Sequence, residues 1–132
     1  MYEYNINLDR NVVLIRCRFK TNSMTMINTM LCDTGATYTS LSKKSLTWLG
    51  YDLTRPNRWV KICTANGELT VPLFILPRFG LFDFLLDNIE VIALDMTGAY
   101  AGAGLLGLGV LRRFDDVCID FGKSKIKFEP KK

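Results

Sequence analysis

Met30-Leu31-Cys32-Asp33-Thr34-Gly35-Ala36 is the stretch on which the reading of this 132-residue chain turns. Residues Met24 to Cys32 are mostly apolar or β-branched, which predicts a strand running into the interior. That strand delivers Asp33 straight into a Thr-Gly turn. Gly35 permits a sharp turn and the close approach of another backbone or a ligand. Thr34 can hydrogen-bond locally and hold the loop. Ala36-Thr37-Tyr38-Thr39 then leads back toward Leu41. The residues alone leave two readings open: a turn-capping aspartate in an ordinary β-protein, or a carboxylate placed for acid–base chemistry.

On the N-terminal side, Tyr2, Tyr4, Ile6 and Leu8 alternate with Glu3, Asn5 and Asn7, the period of a half-buried strand. Asp9-Arg10-Asn11 reads as a turn. Ile15, Cys17 and Phe19 alternate with Arg16, Arg18 and Lys20, a second strand with a basic outer face, and Thr21-Asn22-Ser23 is the next turn.

On the C-terminal side, Ser42 has the character of an N-cap, Lys43 to Leu49 of a short helix and Gly50 of its C′ residue. Arg55-Pro56-Asn57 is a break. Trp59 to Ala65 and Glu68 to Ile75 flank Asn66-Gly67, a strong hairpin signal. Pro72 and Pro77 limit the pairing of the second arm and predict an edge position. Leu81 to Leu86 and Ile89 to Leu94 read as two strands around Asp87-Asn88. Gly98 to Gly104 reads as a flexible loop, Leu105-Leu106-Gly107 as a brief apolar stretch and Leu108 to Phe114 as a short helix. Val117 to Phe121 and Lys125 to Phe128 form a last hairpin around Gly122-Lys123-Ser124. The sum is about eight to ten short strands and two short helices, a closed or sandwiched all-β domain spanning residues 1–132.

Composition narrows the chemistry. Histidine is absent, which removes Ser-His-Asp and Cys-His catalysis and His-ligated zinc in their usual forms. Cys17, Cys32, Cys63 and Cys118 form no CxxC pair, so free thiols are expected rather than a metal site. The start, Met-Tyr-Glu-Tyr-Asn, lacks the basic and apolar regions of a signal peptide, which leads to the expectation of a reducing cytoplasm. The longest charge-free run, Met96 to Leu111, is Gly-rich and shorter than the about 20 apolar residues of a membrane span. A net charge of +4 without a concentrated basic patch argues against a nucleic-acid partner. Gly102-Ala103-Gly104-Leu105-Leu106-Gly107 fits G-x-G-x-x-G, but the long following helix and distal acidic residue of a dinucleotide site have no room after it.

Leu31-Cys32-Asp33-Thr34-Gly35-Ala36 resembles the active-site loop of the retropepsin-like aspartic proteases. Three further features follow in that family's order. Thr39 stands six residues after Asp33, where a hydroxyl residue is common. Thr64-Ala65-Asn66-Gly67 resembles the tip of the flap hairpin. Leu105-Leu106-Gly107 with the helix after it resembles the family's apolar-apolar-Gly motif. The resemblance runs from about Ile15 to Phe128 and implies a closed, barrel-like acid protease fold. It also implies a catalytic Asp33, an active-site loop of Thr34, Gly35 and Ala36, and a flap at Thr64, Ala65, Asn66 and Gly67. Thr39, Leu106 and Gly107 would serve as subsite and supporting residues. No metal or cofactor is implied.

The chemistry needs two carboxylates sharing one proton, and this chain has a single Asp-Thr-Gly; Asp95-Met96-Thr97-Gly98 carries an extra residue. One chain therefore supplies half a site. A two-fold homodimer acting on a protein or peptide would complete it, with Thr34 of each chain hydrogen-bonding across the axis as the resemblance implies. Retroviral members carry an ion pair at the places held here by Thr37 and Leu108, and their flap is richer in Gly; both departures point to a cellular branch. The expected function is an aspartic endopeptidase. The alternatives are a non-catalytic module of the same fold that binds peptides or dimerises, and a small β-barrel binding an anion or nucleic acid.

Overall fold

The structure is a computed structural model, and it describes residues 2–8 and 11–132. The first strand, β1 (Tyr2–Asn5), is shorter than the predicted Tyr2–Leu8. Ile6 and Leu8 still pack against the core beyond it. Of the predicted Asp9-Arg10-Asn11 turn, Asp9 and Arg10 lie outside the described residues; Asn11 has a left-handed φ of 57°.

β2 (Leu14–Lys20) buries Ile15, Cys17 and Phe19 while Arg16 faces solvent, as the alternation requires. It pairs antiparallel with β3 (Thr25–Cys32), from Leu14↔Leu31 to Lys20↔Thr25. Then come β4 (Thr39–Leu41) and α1 (Lys43–Trp48). The Ser42 side chain caps this helix by accepting from the Ser45 N–H. β5 (Arg58–Thr64), β6 (Gly67–Leu81) and β7 (Phe84–Ala93) form two successive hairpins. β8 (Gly104–Leu106), the four-residue α2 (Leu108–Leu111), β9 (Phe114–Asp120) and β10 (Lys125–Pro130) complete the chain.

The fold is all-β with short helices. Strands pair in the order β2-β3-β8-β4-β7-β6, and β6 returns to β2 through Cys17↔Leu81 to Lys20↔Arg78. The ring therefore closes into a barrel. β5 hangs outside this ring on β6 alone. β1, β10 and β9 make a separate three-stranded sheet. Phe84, Phe114 and Phe128 fasten it to the barrel, with ring centroids 4.9 Å apart for Phe84–Phe114 and 4.8 Å for Phe114–Phe128.

One prediction of local structure fails and a second holds only in part. The turn predicted at Asp87-Asn88 is absent, because β7 runs through both residues. The chain reverses at Phe82-Asp83 instead, between Leu81 and Phe84. Tyr4 stacks on Phe82 at 4.0 Å and its hydroxyl donates to Asp83 Oδ2 at 3.0 Å. Arg18 donates to the Phe82 carbonyl at 2.6 Å. Tertiary contacts thus hold a turn whose left-handed residue is the aromatic Phe82. The second concerns the edge position of the Glu68–Ile75 arm, which holds for residues 68–72, paired with β5 alone, and ends at Leu73, from where the 15-residue β6 pairs with β7 and, from Arg78, with β2 as well. β6 tolerates Pro77 because the ladder to β7 passes from Leu76↔Ile89 to Arg78↔Asp87 without that rung. Two smaller differences concern length. The helix predicted over Leu108 to Phe114 ends at Leu111, and the Gly98–Gly104 loop contains a 3-10 turn (Gly98–Tyr100) before Gly104 enters β8. No helix among the described residues is long and apolar enough to cross a membrane.

Candidate active site

β3 ends inside the barrel wall. The Cys32 N–H donates to the Val13 carbonyl at 2.8 Å, and the Asp33 N–H donates to the Leu106 carbonyl at 3.0 Å. The loop then folds back on the acid. The Gly35 N–H donates to Asp33 Oδ1 at 2.9 Å and the Ala36 N–H to the Asp33 carbonyl at 3.2 Å. This is an aspartate-stabilised turn that fixes the carboxylate direction. Asp33 is half-buried; Thr34 and Gly35 are exposed. Gly35 is not in the left-handed region, and a Cβ there would stand 3.2 Å from Asp33 Oδ1, a tight approach that would press on the carboxylate.

The loop is locked to the segment after β8. Thr39 and Ser40 are fully buried polar residues. Thr39 Oγ1 accepts from the Gly107 N–H at 3.1 Å, and Ser40 Oγ from the Leu105 N–H at 3.2 Å. The Leu108 N–H donates to the Ala36 carbonyl at 2.8 Å and the Gly109 N–H to the Thr37 carbonyl at 3.2 Å. At the places of the absent viral ion pair, Thr37 and Leu108, main-chain hydrogen bonds join the two loops, and the Thr39 and Ser40 hydroxyls add two more beside them. A Cβ on Gly107 would stand 2.5 Å from the Tyr38 carbonyl oxygen, so the two backbones meet too closely for any other residue.

The β5–β6 hairpin closes at Thr64↔Gly67. Gly67 takes φ 108°, and Thr64 Oγ1 donates to the Gly67 carbonyl at 2.9 Å. Between β5 and the Asp33 loop lies a cleft of about 600 Å³. Asp33, Gly35 and Ala36 line one side, Ile62 and Thr64 the other, and Tyr38 lies at its wall. Because β5 pairs only with β6, its other edge is unpaired among the described residues. The hairpin root is anchored by Asn57, whose N–H donates to the Leu73 carbonyl at 2.9 Å and whose Oδ1 accepts from the Ile75 N–H at 2.9 Å. Arg58 is paired with Glu90 at 2.6 Å, which raises its already high pKa.

Of the residues singled out from sequence, Asp33, Gly35, Ala36 and Thr64 share the cleft. Ala65, Asn66 and Gly67 lie at the exposed hairpin tip, and Thr34 is exposed on its loop. Thr39, Leu106 and Gly107 sit behind the loop, with Thr39 and Leu106 fully buried. Sequence reading missed Ser40, whose role was signalled only by its adjacency to Thr39. It also missed Tyr38 and Leu105 as cleft residues.

Burial pushes the Cys17 thiol up to about 12. Burial also raises the Cys32 pKa, helped by the charge of the adjacent Asp33. All four cysteines are free. No group of three or more Cys, Asp and Glu among the described residues is placed to hold a metal ion.

The family described as "gag-polyprotein putative aspartyl protease" matches residues 20–113, more than two thirds of the chain. A retropepsin-like aspartic protease from Rickettsia conorii, solved by crystallography, is similar in structure with a TM-score of 0.70. The two share 26% identity over 96% of this chain and 89% of that one. No curated protein matches the sequence.

Proposed function

Since the chain belongs to the retropepsin-like, gag-polyprotein aspartyl protease family, we propose that it is an aspartic endopeptidase active as a homodimer. The observation that carries this reading is the placement of Asp33. Its Oδ1 is held by the Gly35 N–H, and the acid opens on a cleft bounded by an unpaired strand edge.

A single carboxylate is half of the required pair. In the dimer, Asp33 of each protomer would meet on the two-fold axis and share one proton. The ionised member takes a proton from water as the water oxygen attacks the peptide carbonyl. The protonated member gives its proton to the carbonyl oxygen, producing a neutral gem-diol. In the collapse of that intermediate the second, now ionised carboxylate takes back a proton from one gem-diol hydroxyl as the C–N bond breaks, and the amine leaves with a proton given by the first carboxylate, which restores the pair with its one shared proton. No covalent enzyme intermediate forms. Thr34 of each protomer would join the two loops beneath the pair.

The substrate would lie extended beside the Asp33 loop, hydrogen-bonded as an added strand. Thr64, Ala65, Asn66 and Gly67 would act as a flap over it, excluding water. Thr39, Leu106 and Gly107 would hold the loop in place. On this reading residues 1–132 form one catalytic domain, working in a reducing compartment with its thiols free.

The test is peptide hydrolysis by the purified chain and by Asp33→Asn. The reading predicts activity in the first and none in the second, with fold and dimer retained, and inhibition by a statine-type mimic of the gem-diol. Equal activity in both proteins removes the mechanism.

A further inference from the structure

We infer that the cleft continues past Tyr38 into a cationic subsite that selects substrates carrying an acidic side chain on one flank of the scissile bond. This rests on the endopeptidase reading and adds a substrate class to it. A second cavity of about 290 Å³ adjoins the cleft and shares Thr37 and Tyr38 with it. Its other walls include Leu108, Glu90, Arg112 and Arg113. An extended peptide leaving Asp33 along the loop crosses Thr37 and Tyr38 and arrives at this cavity.

The charges there do not cancel. Glu90 is already neutralised by Arg58 at 2.6 Å. Arg113 is turned onto the Asn88 carbonyl at 2.8 Å, a contact that leaves its positive charge uncompensated. The Arg112 guanidinium has neither ion pair nor hydrogen-bond acceptor among the described residues. Two cations therefore face a cavity of side-chain size. Of these, Arg112 is free to make the bidentate contact that a carboxylate favours. The main cleft is more apolar: Ala36, Ile62, Ile92, Leu94 and Leu105 on its walls suit apolar residues next to the scissile bond, with Lys61 as the single cation in its lining.

The experiment takes apolar peptides and scans Glu against Gln through each position. It compares kcat/KM for the two, using wild type, Arg112→Gln and Arg112→Glu. Thermal unfolding of each variant confirms folding. At one flanking position, wild type is expected to favour Glu by about two- to fivefold, mainly through KM, as befits an exposed charge contact. The ratio should fall to about one in Arg112→Gln, drop below one in Arg112→Glu, and shrink in about 0.5 M salt. A ratio near one at every position in wild type, or an unchanged ratio in Arg112→Glu, overturns the inference.

If no peptide is cleaved, the endopeptidase reading fails on its own. Fluorescence anisotropy of the same peptides, labelled with fluorescein, then decides the inference. Tighter binding of the Glu peptide to wild type but not to Arg112→Glu supports it. Equal binding, or none, overturns it.

Discussion

The Thr39 hydroxyl accepts from the Gly107 N–H at 3.1 Å, deep in the barrel wall and away from solvent. This one bond ties the strand after the Asp33 loop to the segment after β8. Ser40 repeats it one residue on, with Leu105. This chain makes the junction with buried hydroxyls, and salt should affect it little. Replacing Thr39 by Val leaves a buried N–H without an acceptor. A loss of about 1–3 kcal/mol is expected in urea unfolding, with Thr39→Ser close to wild type. A Thr39→Val protein as stable as wild type would remove the hydroxyl from the account.

Gly107 is predicted to be intolerant of any side chain. With the Tyr38 carbonyl oxygen 2.5 Å from the position of a Cβ, Gly107→Ala must push the two loops apart. Backbone cannot yield as a side chain can, so destabilisation of at least about 2 kcal/mol is expected. Gly109→Ala is the control, because its nearest neighbour would be 3.6 Å away, an ordinary contact. Denaturant midpoints of the two variants should differ clearly, and equal midpoints would contradict the packing.

Thiol chemistry should divide by burial. Cys63 and Cys118 are exposed, whereas Cys17 is fully buried. Native-state alkylation at neutral pH should label Cys63 and Cys118 quickly and Cys17 only on unfolding. Cys17 also links stability to alkaline pH. Its folded pKa, about 12, lies above the unfolded value of 9.0, so the unfolded chain releases the proton first. The contribution is complete below pH 9 and is lost as pH rises toward 12. Cys17→Ala should flatten that part of the stability–pH curve, and an identical slope would contradict the assignment.

The Phe82-Asp83 turn is expected to depend on a partner 78 residues away. Phe82 takes a left-handed φ of 51°, unusual for an aromatic residue, and Tyr4 stacks on it at 4.0 Å. Tyr4→Ala should therefore destabilise the chain by about 1–3 kcal/mol in urea unfolding, through lost packing and a loosened turn. Tyr4→Phe, which keeps the ring and loses the Asp83 contact, should cost about 1 kcal/mol or less. Equal effects of the two substitutions would place the hydroxyl, not the stacking, in control.

These cases also mark what the sequence could convey. Local chemistry was legible: the apolar run into Asp33, the Ser42 cap, and the Asn66-Gly67 hairpin whose closing pair is Thr64↔Gly67. Each is decided within a few residues. The reversal at Phe82-Asp83 was not legible, because Tyr4 and Arg18 impose it from distant strands. Asp87-Asn88 has the composition of a turn, yet barrel closure keeps it within β7, with Asn88 at φ 53°. Pro77 suggested an edge, and only the ladder shows the skipped rung that admits it to an interior strand. At the site, Asp33 was readable from its own loop. Tyr38 and Ser40 acquire roles only once the segment after β8 and the hairpin are folded beside them.

The central claim is that one chain supplies one carboxylate of a shared pair. Subunit mixing tests it most directly. Wild-type chain at fixed concentration is equilibrated with rising amounts of Asp33→Asn, and peptide hydrolysis is followed. If active sites form between protomers, mixed dimers hold a single Asp33 and are inactive. A ninefold excess of the variant should then cut activity to about a tenth by random pairing. Activity that stays constant at every ratio would show that each chain works alone and would contradict the account.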